Sequence, residues 1–159
     1  VLHCLDTLGF NPPPGPLAAR LAAGTLPARM EYFPGTPAVL LDGGHNPAAA
    51  GVLRDLLAAT GKTVHALVGI QADKDGPGFI RTLAPVVTRF TFTESGSSRT
   101  ANPAVLAADA GTDGTVIATP AAALEMALRE TPADGLLVIA GSFVLAGLLR
   151  GILTARPTP

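Results

Sequence analysis

The chain has 159 residues with a formal net charge of -1, and 48% of its residues are hydrophobic against 14% charged. That apolar fraction excludes a disordered chain and suits one domain with its own core. The near-neutral charge argues against a nucleic-acid or polybasic membrane binder, which needs a positive field to release counterions. The single Cys4 rules out an internal disulfide and a CxxC metal knuckle, so a reducing, cytoplasmic setting is expected.

Residues 1–25 carry no positive stretch followed by an apolar core, so they do not read as a secretory signal. Val1 to Phe10 has the character of the last turns of a helix, and Asn11 to Pro27, with Pro12-Pro13-Pro14-Gly15-Pro16, reads as a linker. Glu31-Tyr32-Phe33, a Pro34-Gly35 turn and Ala38-Val39-Leu40-Leu41-Asp42 then read as a hairpin. Further strands are expected at Thr63–Val68, Val87–Thr93, Thr115–Ala118 and Leu136–Ala140. Between them lies a helix at Pro47–Ala59, whose Val52, Leu53, Leu56 and Leu57 form one apolar stripe. Phe79–Ala84, Pro103–Ala110, Pro120–Glu130 and Phe143–Leu153 are the remaining helices.

Asn46-Pro47, Asn102-Pro103 and Thr119-Pro120 each read as a cap followed by Pro at the first helical position, where the missing N–H costs no bond; Ser142 reads as a fourth cap. The apolar run Gly135 to Leu149 is interrupted by Ser142 and ends at Arg150, short of the roughly 20 residues a membrane span needs. Strands alternating with helices imply right-handed crossovers. The expected fold is therefore α/β, a Rossmann-like three-layer αβα arrangement with a mainly parallel sheet of about six strands and one antiparallel edge strand.

In such a sheet, ligands bind outside the carboxyl ends of the strands, and the distinctive polar residues fall in those loops. They are Asp42-Gly43-Gly44-His45-Asn46-Pro47, Asp73-Lys74-Asp75, Ser98-Arg99 and Gly141-Ser142. The glycines after Asp42 permit close backbone approach, and the helix start that follows favours anionic groups. Asp42 suits a ribose hydroxyl, and His45 suits a phosphate or a proton transfer near neutral pH. Read by residue type alone, the segment is equally a capped turn in which Asp42 bonds loop amides and His45 is incidental. Asp73-Lys74-Asp75 and Ser98-Arg99 are likewise open between anion-binding loops and solvated charge. Gly61-Lys62-Thr63 imitates the end of a P-loop but has Leu56 where the first Gly is required, and it precedes a strand.

Together these segments resemble the carboxy-terminal domain of folylpolyglutamate synthase/dihydrofolate synthase, within the Mur ligase superfamily. The carriers are Pro27-Ala28-Arg29-Met30-Glu31, similar to that family's Pro-Gly-Arg-Leu-Glu, and Asp42-Gly43-Gly44-His45-Asn46-Pro47, similar to its Asp-Gly-Ala-His-Asn-Pro. Gly69 with Asp73-Lys74-Asp75, and Ala140-Gly141-Ser142-Phe143-Val144-Leu145, are similar to its later motifs. The departures are Ala28 for Gly, Gly44 for Ala, and Phe143-Val144 for Leu-Tyr.

The resemblance implies an ATP-dependent amide ligase that adds L-glutamate to folates through an acyl phosphate. It implies that Arg29 contacts nucleotide phosphates, Asp42 the ribose, His45 the phosphates or the incoming glutamate in a catalytic role, and Ser142 the glutamate carboxylate. Asp73, Lys74, Ser98 and Arg99 line the cleft more loosely. ATP and Mg²⁺ are the implied cofactors, the metal held mainly by an N-terminal ATPase domain that carries the P-loop, with no metal ligand set here. On this reading residues 1–27 are the tail of that domain plus linker and residues 28–159 the glutamate-ligase domain, inactive by itself. Folate and glutamate are its partners, the state is monomeric, and neither nucleic acid nor membrane is bound. The competing readings are a Mur-type peptidoglycan-precursor ligase domain and a non-catalytic nucleotide-binding α/β module.

Overall fold

The computed structural model describes residues 26–156, residue 113 excepted; the expected helical tail and most of the linker lie outside the described residues. Six strands form one sheet: β1 (Glu31–Phe33), β2 (Ala38–Leu41), β3 (Val64–Val68), β4 (Arg89–Phe92), β5 (Gly114–Val116) and β6 (Leu136–Ala140). Their spatial order is β1-β2-β6-β3-β4-β5, with β1 antiparallel to β2 and every other pair parallel. Five α-helices connect or follow them: α1 (Pro47–Thr60), α2 (Gly76–Leu83), α3 (Pro103–Ala110), α4 (Pro120–Glu130) and α5 (Phe143–Thr154). The α/β architecture with one antiparallel edge strand is the one expected.

The central strands read as unbroken apolar runs because both faces are covered. Ala38, Leu40, Val64, Ala66, Val68, Leu136, Val138 and Ala140 face one core with Leu53, Leu57, Phe79, Ile80, Leu83 and Leu106 of α1, α2 and α3. Val39, Leu41, Leu67, Leu137 and Ile139 face the other, with Leu124, Ala127, Leu145, Leu149 and Leu153 of α4 and α5. Each buried Val, Leu, Ile or Phe among them contributes about 1.5–3 kcal/mol by leaving water, so these two layers hold the sheet rigid beneath its loops.

Several boundaries differ from expectation. On α1, Leu53 and Leu57 face the core with Ala50, whereas Val52 and Leu56 are exposed. A period of 3.6 carries residues 52 and 56 one step around the cylinder, so the expected stripe is half as wide. The helix α2 begins at Gly76 rather than Phe79, because Asp75 accepts the Gly78 N–H at 2.9 Å and caps it. Ala84 falls in a 3₁₀ turn with Pro85, which delays β4 to Arg89. The strand β5 starts one residue earlier than expected, at Gly114, and ends two residues earlier, at Val116. Asn46, Asn102 and Ser142 cap as expected, but Thr119 makes no side-chain cap bond, leaving Pro120 alone to preset that helix start.

The strand order places the site. α2, which follows β3, lies on one face, and α5, which follows β6, lies on the other. Adjacent parallel strands whose chains depart to opposite faces leave a crevice between their carboxyl ends. Register aligns those ends: Leu41 pairs with Ile139, Ala140 with Val68, and Val68 with Phe92. The next residues along each strand therefore emerge side by side.

Candidate functional site

Asp42 extends β2 by one ladder bond, its N–H donating to the Ile139 carbonyl at 2.9 Å. Its carboxylate turns inward, only 5% exposed. Oδ1 accepts the Gly44 N–H at 2.7 Å and Oδ2 the Met30 N–H at 3.0 Å. The Gly43 N–H donates to the Ala28 carbonyl at 2.8 Å, and the Gly141 N–H to the Gly44 carbonyl at 2.8 Å. Three segments are thus stitched together: the stretch around Arg29, the loop after β2 and the loop after β6. Asp42 acts here as the capped-turn alternative requires, bonding loop amides.

His45 follows on the same loop. Its Nδ1 lies 3.1 Å from the Gly43 carbonyl. A carbonyl only accepts, so this geometry assigns the ring proton to Nδ1 and leaves Nε2 as an acceptor. Arg29 sits on a tightly folded peptide whose flanking Ala28 and Met30 both have positive φ, 55° and 48°. The left-handed region costs an L-residue roughly 1–2 kcal/mol, and Ala28 bears that strain where the resembling family carries Gly. The peptide is held from below: the Glu31 carboxylate accepts the Ala28 N–H at 2.9 Å and two bonds from Arg150, Nε at 3.0 Å and Nη2 at 2.9 Å. Arg150 draws the Glu31 carboxyl below the usual carboxylate range, chiefly through that hydrogen bond.

The Arg29 guanidinium lies over the Phe143 ring, 4.4 Å from its centroid. The His45 ring meets the same phenyl edge-on, with centroids 6.2 Å apart and planes at 74°. Ser142 is buried, and its Oγ accepts the Val144 N–H at 3.1 Å, starting α5. That bond leaves the hydroxyl proton free to donate elsewhere. Gly141, at φ 106°, brings the end of β6 against the Gly69 carbonyl and Ile70, an approach no side chain could make.

His45, Gln71, Lys74, Ser142, Phe143 and their neighbours line a hollow of about 100 Å³. Of the residues expected in the site, His45, Lys74 and Ser142 share this hollow, Arg29 stands on Phe143 of its lining, and Asp42 is not part of the lining and keeps only a small exposed area. Asp73 is at the lip, 3.0 Å from Lys74 Nζ and 3.9 Å from Arg99, and its carboxyl is held low by the Lys74 hydrogen bond above all. Ser98 and Arg99 are exposed on the β4–α3 loop and do not line the hollow. Among the described residues there is no cluster of three or more His, Cys, Asp or Glu able to hold a metal ion. No described helix is long and apolar enough to cross a membrane. Sequence reading missed Phe143 and Gln71; the only signal for the former was an aromatic at the first position of a helix, next to Ser142.

Loops gathered at the carboxyl ends of parallel strands, around a crevice flanked by helices from opposite faces, define a three-layer α/β ligand-binding domain. Residues 28–143 match the family described as Mur ligase, glutamate ligase domain, and the chain belongs to that family. It is 35% identical over 95 residues to dihydrofolate synthase/folylpolyglutamate synthase of Mycobacterium tuberculosis, covering 58% of this chain and 20% of that protein. It is 32% identical over 135 residues to folylpolyglutamate synthase of Lacticaseibacillus casei, covering 84% of this chain and 31% of that one. Among solved structures, E. coli FolC in complex with DHPP and ADP superposes with a TM-score of 0.85 at 27% identity, over 98% of this chain and 38% of that one. Folylpolyglutamate synthase of M. tuberculosis complexed with ADP gives a TM-score of 0.83 at 26% identity, over 98% of this chain and 38% of that chain. The chain thus spans about a fifth to two-fifths of the length of these relatives.

Proposed function

We propose that this chain is the glutamate-ligase lobe of an ATP-dependent amide ligase that adds L-glutamate to folates, and that an N-terminal ATP-binding lobe closes on its rim to complete the site. One observation carries the reading: a cationic Arg29, a His45 imidazole with Nε2 unbonded and a Ser142 hydroxyl with its proton unspent meet at one end of the sheet. Their hollow of about 100 Å³ is well below the roughly 300–1,000 Å³ of ordinary ligand pockets. A second wall is needed, and closure of two lobes also excludes water.

The residues present fit a nucleotide triphosphate through Arg29, a guanidinium with no carboxylate within ion-pair distance among the described residues. The metal is a different matter, because the described residues hold no group of three or more His, Cys, Asp or Glu side chains able to bind it; Mg²⁺ would be held by the other lobe. ATP, when bound, supplies the phosphoryl group that activates the folate carboxylate. Arg29 neutralises charge on the phosphates. Ser142 donates its hydroxyl proton to a glutamate carboxylate oxygen, with Lys74 as the nearby cation. His45 Nε2 is placed to take a proton as the glutamate amine becomes a nucleophile. Asp42 is assigned a ribose hydroxyl through the lone pairs left on a carboxylate that already braces the loop.

The test is a substrate panel on the polypeptide that joins this chain to its ATP-binding lobe, supplied with ATP, Mg²⁺ and L-glutamate. ADP release that requires both glutamate and a reduced folate or dihydropteroate is expected. Turnover with a uridine-nucleotide-linked acceptor and none with folates would replace this reading by the peptidoglycan-precursor one.

A further inference from the structure

Burial does not explain the placement of Phe143 at this rim. It occupies the first position of α5, where no apolar residue is needed, and it remains 41% exposed. Three independent features converge on its ring. The Arg29 guanidinium stacks on one face at 4.4 Å. The His45 imidazole abuts the edge at 6.2 Å between centroids. The ring also lies against Gly43, where any added Cβ would run into it. Glycine at position 43 therefore makes room for the phenyl, and the phenyl separates and orients the two polar side chains.

Arg29 needs such a support. Among the described residues no carboxylate lies within ion-pair distance of it. It also stands beside the start of α5, where the positive end of the helix disfavours a cation. A guanidinium held by a carboxylate would be neutralised before any phosphate arrived. Held by a π face, it is fixed in direction and keeps its full charge. The backbone beneath is already fixed by Asp42, Glu31 and two left-handed residues, so Phe143 supplies the remaining constraint, on the side chain.

We infer that Phe143 is a positioning residue for the proposed ligase reaction: its ring sets the direction of the Arg29 guanidinium toward a bound phosphate and of the His45 imidazole toward the incoming glutamate amine. The inference rests on the ligase reading above and adds to it a residue that acts through Arg29 and His45. The resembling family pattern has Leu at this position.

Two kinds of measurement test it. In the 159-residue chain, the ring current of Phe143 should shift the Arg29 Hε and His45 Hε1 proton signals upfield or downfield of their free values. Phe143→Leu should abolish both shifts with the melting midpoint changed little, and Phe143→Tyr should retain them. In the two-lobe polypeptide, Phe143→Leu should lower kcat/KM for ATP about 10-fold, mostly through KM, and Phe143→Tyr should recover most of that loss. In an Arg29→Ala background the same Leu substitution should cost less than about 2-fold, because the group it orients is gone.

Wild-type kcat/KM in Phe143→Leu, alongside a severe defect in Arg29→Ala, would overturn the positioning role and leave the ligase reading standing. An equal penalty for Phe143→Leu with and without Arg29 would overturn it too. Wild-type turnover in Arg29→Ala would instead remove the ligase role of Arg29 on which the inference rests.

Discussion

The two ends of the sheet carry similar side chains and use them oppositely. At the amino-terminal ends of the strands, Arg89 pairs with Glu130 at 2.8 Å and Lys62 Nζ donates to the Asp134 carbonyl at 2.9 Å. His65, almost fully buried, meets the Thr131 hydroxyl at 3.2 Å. That hydroxyl gives its proton to the Ala127 carbonyl at 2.6 Å, so His65 Nδ1–H must be the donor. Arg89, Lys62 and His65 thus each close on a neighbour. At the carboxyl-terminal ends, Arg29 rests on a ring, His45 keeps Nε2 open and Ser142 keeps its proton. Charge spent within the fold stabilises it; charge left facing a hollow is available to a ligand. The difference lies in the partners, since Arg and His occur at both ends.

The sharpest way to break this comparison is by activity. In the two-lobe polypeptide, Arg29→Ala and His45→Ala should each lower glutamate-dependent ADP formation by about 100-fold or more, whereas Arg89→Ala should leave the rate within about 2-fold. Steady-state rates at saturating folate decide it, and similar losses from all three would erase the distinction between the ends.

Stability comes next. Asp42→Ala strips the Gly44 and Met30 amides of a charged acceptor, and two such bonds are worth about 1.5–3 kcal/mol each before relaxation. A loss of about 2–4 kcal/mol in urea unfolding is expected, against at most about 1 kcal/mol for Arg89→Ala, an exposed pair. An Asp42→Ala variant as stable as the parent would show that the loops are not stitched through this carboxylate.

Glu31→Gln should cost about 1–2 kcal/mol, between exposed and buried pairs, because the Glu31 side chain is 13% exposed and that of Arg150 38%. The sign of its pH dependence follows from a folded carboxyl held below its ordinary value of 4.5. The unfolded chain binds the proton more readily, so the contribution is complete above pH 4.5 and is lost as pH falls through the lower folded value. The gap between parent and Glu31→Gln should therefore close in acid, and a gap that widens there would refute the pairing.

The smallest effect belongs to His65. Burial is the main cause of its lowered pKa, Arg89 adds to it and Glu130 opposes it. Unfolding therefore takes up a proton, and the parent should lose stability as pH falls below 6.5 toward the depressed folded value. His65→Gln should flatten that part of the profile; an unchanged slope would assign it to other groups.

The sequence made the central strands legible because β2, β3 and β6 are buried on both faces and leave apolar runs no loop would carry. The caps at Asn46 and Asn102 were legible for the same local reason. Edge elements were not: β5 alternates between exposed and half-buried residues, so nothing marks its ends. The helical stripe was read too wide, since Val52 and Leu56 are as apolar as Leu53 and Leu57 and only the curvature of the helix separates them. Residue type and strand-end position single out Asp42, His45 and Ser142, the family resemblance alone adds Arg29, and the structure brings the four to one rim. Their partners were hidden in sequence distance. Nothing local joins Arg150 to Glu31 across 119 residues, or points Arg29 at Phe143.

The central claim is that ligands are gripped at the rim bearing Arg29, His45 and Ser142. Hydrogen–deuterium exchange on the two-lobe polypeptide, with and without ATP analogue, Mg²⁺ and L-glutamate, tests it directly. The account predicts slowed exchange at residues 28–31, 43–46, 71–74 and 141–145, with residues 62–65, 87–89 and 130–135 unchanged. Protection confined to the second set would contradict it.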